Sequence, residues 1–129
     1  MEKHGEIQIQ LDGQILRVTA VGAFNLEGTR SAYQRIEVAA TQIYQRPWAK
    51  LTDFRECMLG APECLELIGF HNQWCLQHGC IGMALVVSNA FVRDLYKVQN
   101  PTDGLPIAVF TDPDTAHAHL LDLLATQQR

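Results

Sequence analysis

No apolar run in this 129-residue sequence approaches the roughly 20 residues that a membrane-spanning helix needs, so a membrane span is not expected. An excess of positive charge is also missing. Ten Lys and Arg stand against fourteen Asp and Glu, a net charge of −4, and such a chain has no field to attract a phosphate backbone. Nucleic acid is therefore not expected as a partner. The nine glycines are scattered and form neither a Gly-x-Gly-x-x-Gly nor a Walker pattern, which excludes the usual nucleotide cradles. Serine occurs only as Ser31 and Ser88, and neither sits in a Gly-x-Ser-x-Gly elbow of the hydrolase type. The opening Met1-Glu2-Lys3-His4-Gly5-Glu6 lacks the apolar stretch of a signal peptide, so a cytoplasmic location is expected. In that compartment Cys57, Cys64, Cys75 and Cys80 are expected as free thiols.

What is present is an ordinary globular composition, 47% hydrophobic and 19% charged, with enough apolar material for one core. No repeat, low-complexity stretch or linker divides it, and residues 1–129 read as a single domain. Ile7, Ile9 and Leu11 alternate with Gln8, Gln10 and Asp12, the period of a strand with one buried face. Asp12-Gly13 then predicts a type I′ hairpin turn into a second strand, Ile15 to Phe24. In that strand Leu16, Val18, Ala20 and Phe24 share one face. Asn25 is a plausible N-cap for a helix with a stripe of Tyr33, Ile36, Ala40, Ile43 and Tyr44, closed by Pro47.

Ala49 to Phe54 reads as a short strand, followed by a loop from Arg55 to Ala61 with an apolar tip at Met58, Leu59 and Gly60. A second helix is predicted from Pro62 to His78, with Gly79 as its C-terminal cap. The near-continuous apolar run Ile81 to Val87 suits a central strand covered on both faces. A third helix runs from Ala90 to Gln99 and stops at Asn100-Pro101. Leu105 to Phe110 is the last strand, and Pro106 puts it at the sheet edge or the proline at its first turn. Asp112-Pro113-Asp114 opens a final helix with Ala116, Leu120, Leu123 and Leu124 as its stripe. The fold class is thus α/β, a five-stranded mixed and mostly parallel sheet with an N-terminal antiparallel hairpin and four helices.

This element order, the strand ending in Thr52-Asp53-Phe54, and the closing strand followed by Phe110-Thr111-Asp112-Pro113-Asp114 resemble the SpoIIAA-like family. That family is related to anti-sigma-factor antagonists and STAS domains, and the resemblance spans Gly5 to about Leu124. It implies a non-enzymatic binding or regulatory role. Phosphorylatable STAS domains have a serine or threonine at the start of the helix after the third strand. Here Arg55 stands where that pattern's first serine would be, and no serine or threonine occurs between Asp53 and Val87. The charge of a phosphoserine switch has no acceptor at that place.

Open α/β sheets bind at the carboxyl ends of their parallel strands. Three connections there carry the candidate binding residues: Asn25 and Arg30; Asp53, Arg55, Glu56 and Cys57; and Ser88, Asn89 and Arg93. The arginines would clamp an acidic group or pair with Asp53 and Glu56, and pairing is the reading preferred for a net-acidic chain. Arg55 would lower the pKa of a reactive Cys57, while Glu56 would do the opposite. On the second helix, His71, Cys75 and His78 lie at helical spacing on one stripe, with Cys64 two turns back. Such a set can hold zinc, but Leu67, Ile68, Phe70 and Trp74 flank it, so we read it as the face against the sheet. A buried His71 would then need a hydrogen-bond partner and no metal. Trp74 is expected in the core and Trp48 over a sheet edge. No cofactor is expected. The function expected is that of an interaction module with an unidentified protein partner or a second copy of the chain. The alternatives are a carrier of a small apolar ligand or lipid, and a metal- or thiol-dependent enzyme.

Overall fold

A computed structural model describes residues 4–59, 63–99 and 104–127. Its elements are β1 (Glu6–Asp12), β2 (Ile15–Phe24), α1 (Leu26–Ala40), β3 (Trp48–Leu59), α2 (Glu63–Gln77), β4 (Cys80–Val86), α3 (Ala90–Gln99), β5 (Ile107–Phe110) and α4 (Pro113–Gln127). They form one five-stranded sheet in the order β1-β2-β3-β4-β5. The first pair is antiparallel and the other three are parallel, as the alternation of strands and helices predicts. The residues proposed for the start of the second helix and for the stop at Asn100-Pro101 lie outside the described residues.

The hairpin turn differs from the expected type. Asp12 pairs with Ile15, which leaves Gly13-Gln14 as the two turn residues. Gly13 alone has a positive φ, 59°, so the turn follows the type II′ pattern, with glycine at its first central position. Gln14 then turns its amide towards the α1–β3 connection, donating to the carbonyls of Ile43 at 2.8 Å and Pro47 at 3.1 Å.

Strand parity sorts the core into two layers. Leu16, Val18, Ala20 and Phe24 of β2 join Trp48, Cys80 and Met83 against Ala32, Ile36 and Ala40 of α1 and Cys75 of α2. On the opposite face, Ile15, Ala49, Leu51, Ala84 and Val86 pack on Ala116, Leu120 and Leu124 of α4. Helix α4 lies over β3, β4 and β5. The exposed residues of β1, Gln8 and Gln10 among them, keep a polar outer face, as one-sided burial requires.

Strand β3 is longer than expected and is the middle strand of the sheet, with β4 beside it in the interior. Thr19 pairs with Asp53 and Val21 with Glu56, so β3 has one extra residue there, a β-bulge. Beyond it, β3 continues beside β2 until Phe24 pairs with Leu59. Residues 55–59, expected in a loop, are thus strand residues, because the second half of β2 supplies a ladder for them. The bulge also resets parity, which lets both Phe54 and Cys57 pack on the layer under α1 and α2.

Three further expectations change. Helix α1 ends at Ala40, and a turn in which Ile43 and Tyr44 both donate to the Ala40 carbonyl, each at 3.0 Å, carries Ile43 into the core. Phe70 is exposed. Trp48 covers no edge: it is fully buried at the start of β3, where its indole Nε1 donates to the His78 carbonyl at 2.8 Å. Gly79, with φ 92°, ends α2 in the left-handed conformation expected of its cap. β5 lies at the sheet edge, and Pro106 precedes it and accepts from the Met83 amide at 2.9 Å.

Trp48→Phe leaves the His78 carbonyl without its buried donor and removes ring volume, and should cost about 1–3 kcal/mol of stability. Urea unfolding of the two proteins measures the difference.

Candidate functional site

At the carboxyl end of the sheet, the bulge places Asp53 and Arg55 two residues apart on one strand. The Arg55 guanidinium grips the Asp53 carboxylate, with Nη2 to Oδ2 at 2.7 Å and Nε to Oδ1 at 3.0 Å. Burial raises the Asp53 pKa, but the Arg55 hydrogen bonds and charge outweigh it and hold the carboxyl below its ordinary value. Asp53, Arg55 and Glu56 line a cleft of about 310 Å³ with Thr19 and Ala20.

The other candidates do not join this cleft. Arg30 pairs with Glu27 at 2.9 Å, and Arg93 with Asp94 at 3.4 Å. Each arginine is thus matched by a carboxylate of its own segment, and the three do not form a clamp. Asn25 caps α1, accepting from the amides of Gly28 at 2.8 Å and His4 at 3.0 Å. Asn89 caps α3 through the Val92 amide at 3.0 Å. Ser88 Oγ donates to the Arg55 carbonyl at 3.4 Å, which ties the start of the β4–α3 connection to β3. Cys57 is a strand residue, half-buried, and burial pushes its thiol up to about 11. The thiolate needed for nucleophilic chemistry is therefore scarce at neutral pH.

A second constellation lies under α1 and α2, and its key residue is one that the sequence does not advertise. Lys50 is the third residue of β3, on the same face as Trp48 and Thr52, and is only 5% exposed. Its Nζ lies 2.9 Å from His71 Nε2 on α2, and His71 Nδ1 lies 2.9 Å from Glu37 Oε2 on α1. An ammonium has donors only, so Nε2 must accept from it. Nδ1 then carries the imidazole proton and donates to the Glu37 carboxylate. Tyr33 stacks on His71 with ring centroids 4.1 Å apart, and its ring lies 5.5 Å from Lys50 Nζ.

The electrostatics agree with a neutral imidazole between opposite charges. Burial, and then the nearby Lys50 charge, drive the His71 pKa far below its ordinary value. Burial lowers the Lys50 pKa and raises that of Glu37. Around them the thiols stay protonated, Cys75 pushed up to about 12 and Cys80 to about 11, by burial in both cases.

Lys50 also bears on the His71, Cys75 and His78 stripe. The Lys50 ammonium stands at the Nε2 lone pair, 2.9 Å away, where a metal ion would have to bind. His78 donates Nδ1–H to the Trp74 carbonyl at 2.7 Å, and its ring stacks between Trp74 at 4.1 Å and Tyr44 at 5.5 Å. Among the described residues, no three His, Cys, Asp or Glu side chains converge as metal ligands. His71 and Cys75 are buried, His78 is half-buried and Phe70 on the flank of the stripe is exposed; the four cysteines are free thiols. Beside Lys50 lies a cavity of about 30 Å³, lined by Tyr33, Thr52, Phe54 and Cys57 among mainly apolar residues.

No family model and no curated protein matches the sequence. Solved structures do match its fold. A crystal structure of an uncharacterised protein of the DUF3478 family from Shewanella loihica PV-4, with a SpoIIAA-like fold, superposes with a TM-score of 0.65 at 20% identity, covering 93% of this chain and 96% of that one. An anti-sigma factor antagonist from Mycobacterium paratuberculosis superposes with a TM-score of 0.62 at 13% identity, covering 92% and 96%. The chain has the SpoIIAA-like, STAS-related fold that its element order resembles.

Two predictions follow from the buried groups. His71 binds a proton in the unfolded chain below its ordinary value of 6.5 but not in the folded one, so stability should fall as pH drops below 6.5. The slope from this group approaches about 1.4 kcal/mol per pH unit. His71→Gln should remove that part of the slope in a series of urea titrations. Separately, native Cys57 should react with iodoacetamide far more slowly at pH 7 than a free peptide thiol, and rapidly only once pH approaches 11. Mass spectrometry of timed samples reads this rate.

Proposed function

We propose that the chain is a non-enzymatic regulatory interaction module, located in the cytoplasm, which docks a protein partner at the carboxyl end of its sheet. The observation that carries this reading is the exposure of Met58 at the end of β3, 72%, and of Phe91 at the start of α3, 73%, both at that end. Large apolar side chains presented this fully are typical anchors of a protein contact. The anti-sigma factor antagonist with the same fold supports a regulatory protein contact of this class. Asp53, Arg55 and Glu56, with Ser88 and Asn89, supply polar groups at the same end. Phosphorylation at the start of the helix after β3 plays no part in this reading, since that stretch contains no hydroxyl residue.

The alternatives fare less well. A lipid or apolar-ligand carrier needs a pocket of roughly 300–1,000 Å³. The cavity between α1 and the sheet measures about 30 Å³. A thiol enzyme built on Cys57 needs a thiolate that burial opposes. No helix among the described residues is long and apolar enough to cross a membrane.

Affinity capture with the tagged chain from extracts of its native cells tests the reading. A partner held by the wild type should be lost from Met58→Glu and Phe91→Glu, with binding weakened about tenfold or more, and retained by Phe70→Glu, which alters an exposed ring on α2. Native mass spectrometry of the captured complex shows whether the partner is another protein or a second copy. Capture that is indifferent to Met58 and Phe91 would contradict the assignment of this surface.

A further inference from the structure

The two edges of the sheet are built differently. β5 is four residues long and follows Pro106, and a short edge strand beside a proline resists a new neighbour. β1 is seven residues long and pairs with β2 in unbroken register. From Ile7 to Leu11 it carries no charge, proline, glycine or bulge, the usual devices that blunt an edge. The hairpin closes on Asp12 and Ile15, so Asp12, Gln10 and Gln8 direct their backbone groups at β2. Ile7, Ile9 and Leu11 therefore direct theirs outward. One of these is covered, since Arg35 Nη1 reaches the Ile7 carbonyl from α1 at 3.5 Å. Among the described residues, Ile9 and Leu11 have no such cover.

We propose that this edge pairs with a second copy of the chain, β1 against β1 and antiparallel, about a two-fold axis at Gln10, so that one sheet runs through both copies. The surface is separate from the one at the carboxyl end of the sheet and does not depend on it. The register follows from the edge itself. Outward-facing residues must exchange bonds with outward-facing residues, which limits the axis to a few positions. An axis at Gln8 or Ile9 needs the Ile7 carbonyl, which Arg35 holds, and an axis at Ile9 also sets Glu6 opposite Asp12 on both sides. An axis at Leu11 would set Ile9 against the turn residue Gly13. With the axis at Gln10, Ile9 of each copy exchanges both backbone bonds with Leu11 of the other, and the Ile7 carbonyl is left to Arg35. Gln8 then stands opposite Asp12, an amide beside a carboxylate, and Gln10 opposite Gln10.

Helix α1 supplies an independent observation. It connects β2 to the parallel β3, so it runs opposite to β2 and along β1. Val38 lies one turn beyond Arg35 on the same flank of α1 and is 70% exposed. In the pair, the two α1 helices lie side by side across the axis, and Val38 gains apolar cover that the single chain does not give it. Ile9 and Leu11, partly buried on the same face, join the apolar layers of the two copies.

Sedimentation equilibrium of the full chain over a concentration series tests this. The wild type should pass from monomer to dimer as concentration rises. Gln10→Lys and Gln8→Lys both alter exposed side chains on the polar face of β1, and the proposed axis gives them opposite effects. Gln10→Lys sets two like charges directly opposite and should weaken the dimer about fivefold. Gln8→Lys sets a cation opposite Asp12 and should tighten it by about twofold or more. An axis at Gln8 would reverse the two effects and an axis at Ile9 would make them equal, and either result would overturn the register. Gln10→Cys reads the same contact covalently. Facing residues that exchange no backbone bonds have Cα atoms about 4.5 Å apart, within disulfide range, so mild oxidation should give a dimer that survives denaturation. A wild type that stays monomeric up to about 1 mM would overturn the proposal. So would a dimer lost in Met58→Glu but kept in Gln10→Lys, which would move the association to the carboxyl end of the sheet.

Discussion

The arrangement under α1 and α2 depends on one constraint, the burial of the Lys50 ammonium in the middle strand of the sheet. An isolated charge there would cost several kcal/mol, more than most single contacts in a domain of this size return. The fold meets this by bringing an acceptor from one helix and a counter-charge from another. His71 reaches Nζ from α2, and Glu37 reaches His71 from α1, each over 2.9 Å. A neutral imidazole between them lets a carboxylate at the protein surface compensate a cation on the sheet. The same links fix how α1 and α2 lie on β3, since a shift of either helix by one residue would leave a buried polar group without its partner.

The two faces of the sheet answer to different physics. The α4 side is mainly an apolar layer of Ile15, Leu51, Val86, Leu120 and their neighbours, beside which His117 Nδ1 on α4 is buried without a hydrogen-bond partner among the described residues. The α1 and α2 side mixes its apolar layer with Lys50, Thr52, Thr29, His71 and Asn72, all buried. Polar groups at that density are tolerated only where each finds a partner, and the cavity beside Lys50 lies among them. Towards its carboxyl end, β3 carries the Asp53–Arg55 pair into an open cleft and leaves Met58 in solvent.

Much of the fold was legible because its signals are local. Alternation in Ile7 to Leu11, the apolar run Ile81 to Val87, and Asp112-Pro113 before an apolar stripe each identify an element without reference to any other. The extent of β3 was not legible, because residues 55–59 owe their strand conformation to pairing with β2, a contact distant in sequence. Trp48 was misplaced for a related reason: its parity on a middle strand is visible only once β3 is known to lie between β2 and β4. His71 was legible as a buried histidine in need of a partner, but the partner was not. Lys50 sits between Ala49 and Leu51 like any solvated charge in a short strand, and Glu37 on α1 looks like an ordinary surface carboxylate. The available signal was that Lys50 shares its parity with Trp48, Thr52 and Phe54, which is unusual company for an exposed lysine. For the carboxyl-end candidates, sequence placed Asp53, Arg55 and Glu56 together, and placed Arg30 and Arg93 with them only by strand order, without the neighbouring carboxylates that engage each.

The central claim is that His71 is a neutral imidazole, protonated on Nδ1, between a lysine amine and a carboxylate. Nitrogen-15 NMR of the histidine rings, followed through a pH titration of the folded protein, measures this directly. The account predicts that His71 shows a protonated Nδ1 and an unprotonated, hydrogen-bonded Nε2, and that neither signal moves as the pH is lowered through 6.5, where an ordinary histidine titrates. An imidazolium signal from His71 near that pH, or a ring protonated on Nε2, would contradict it.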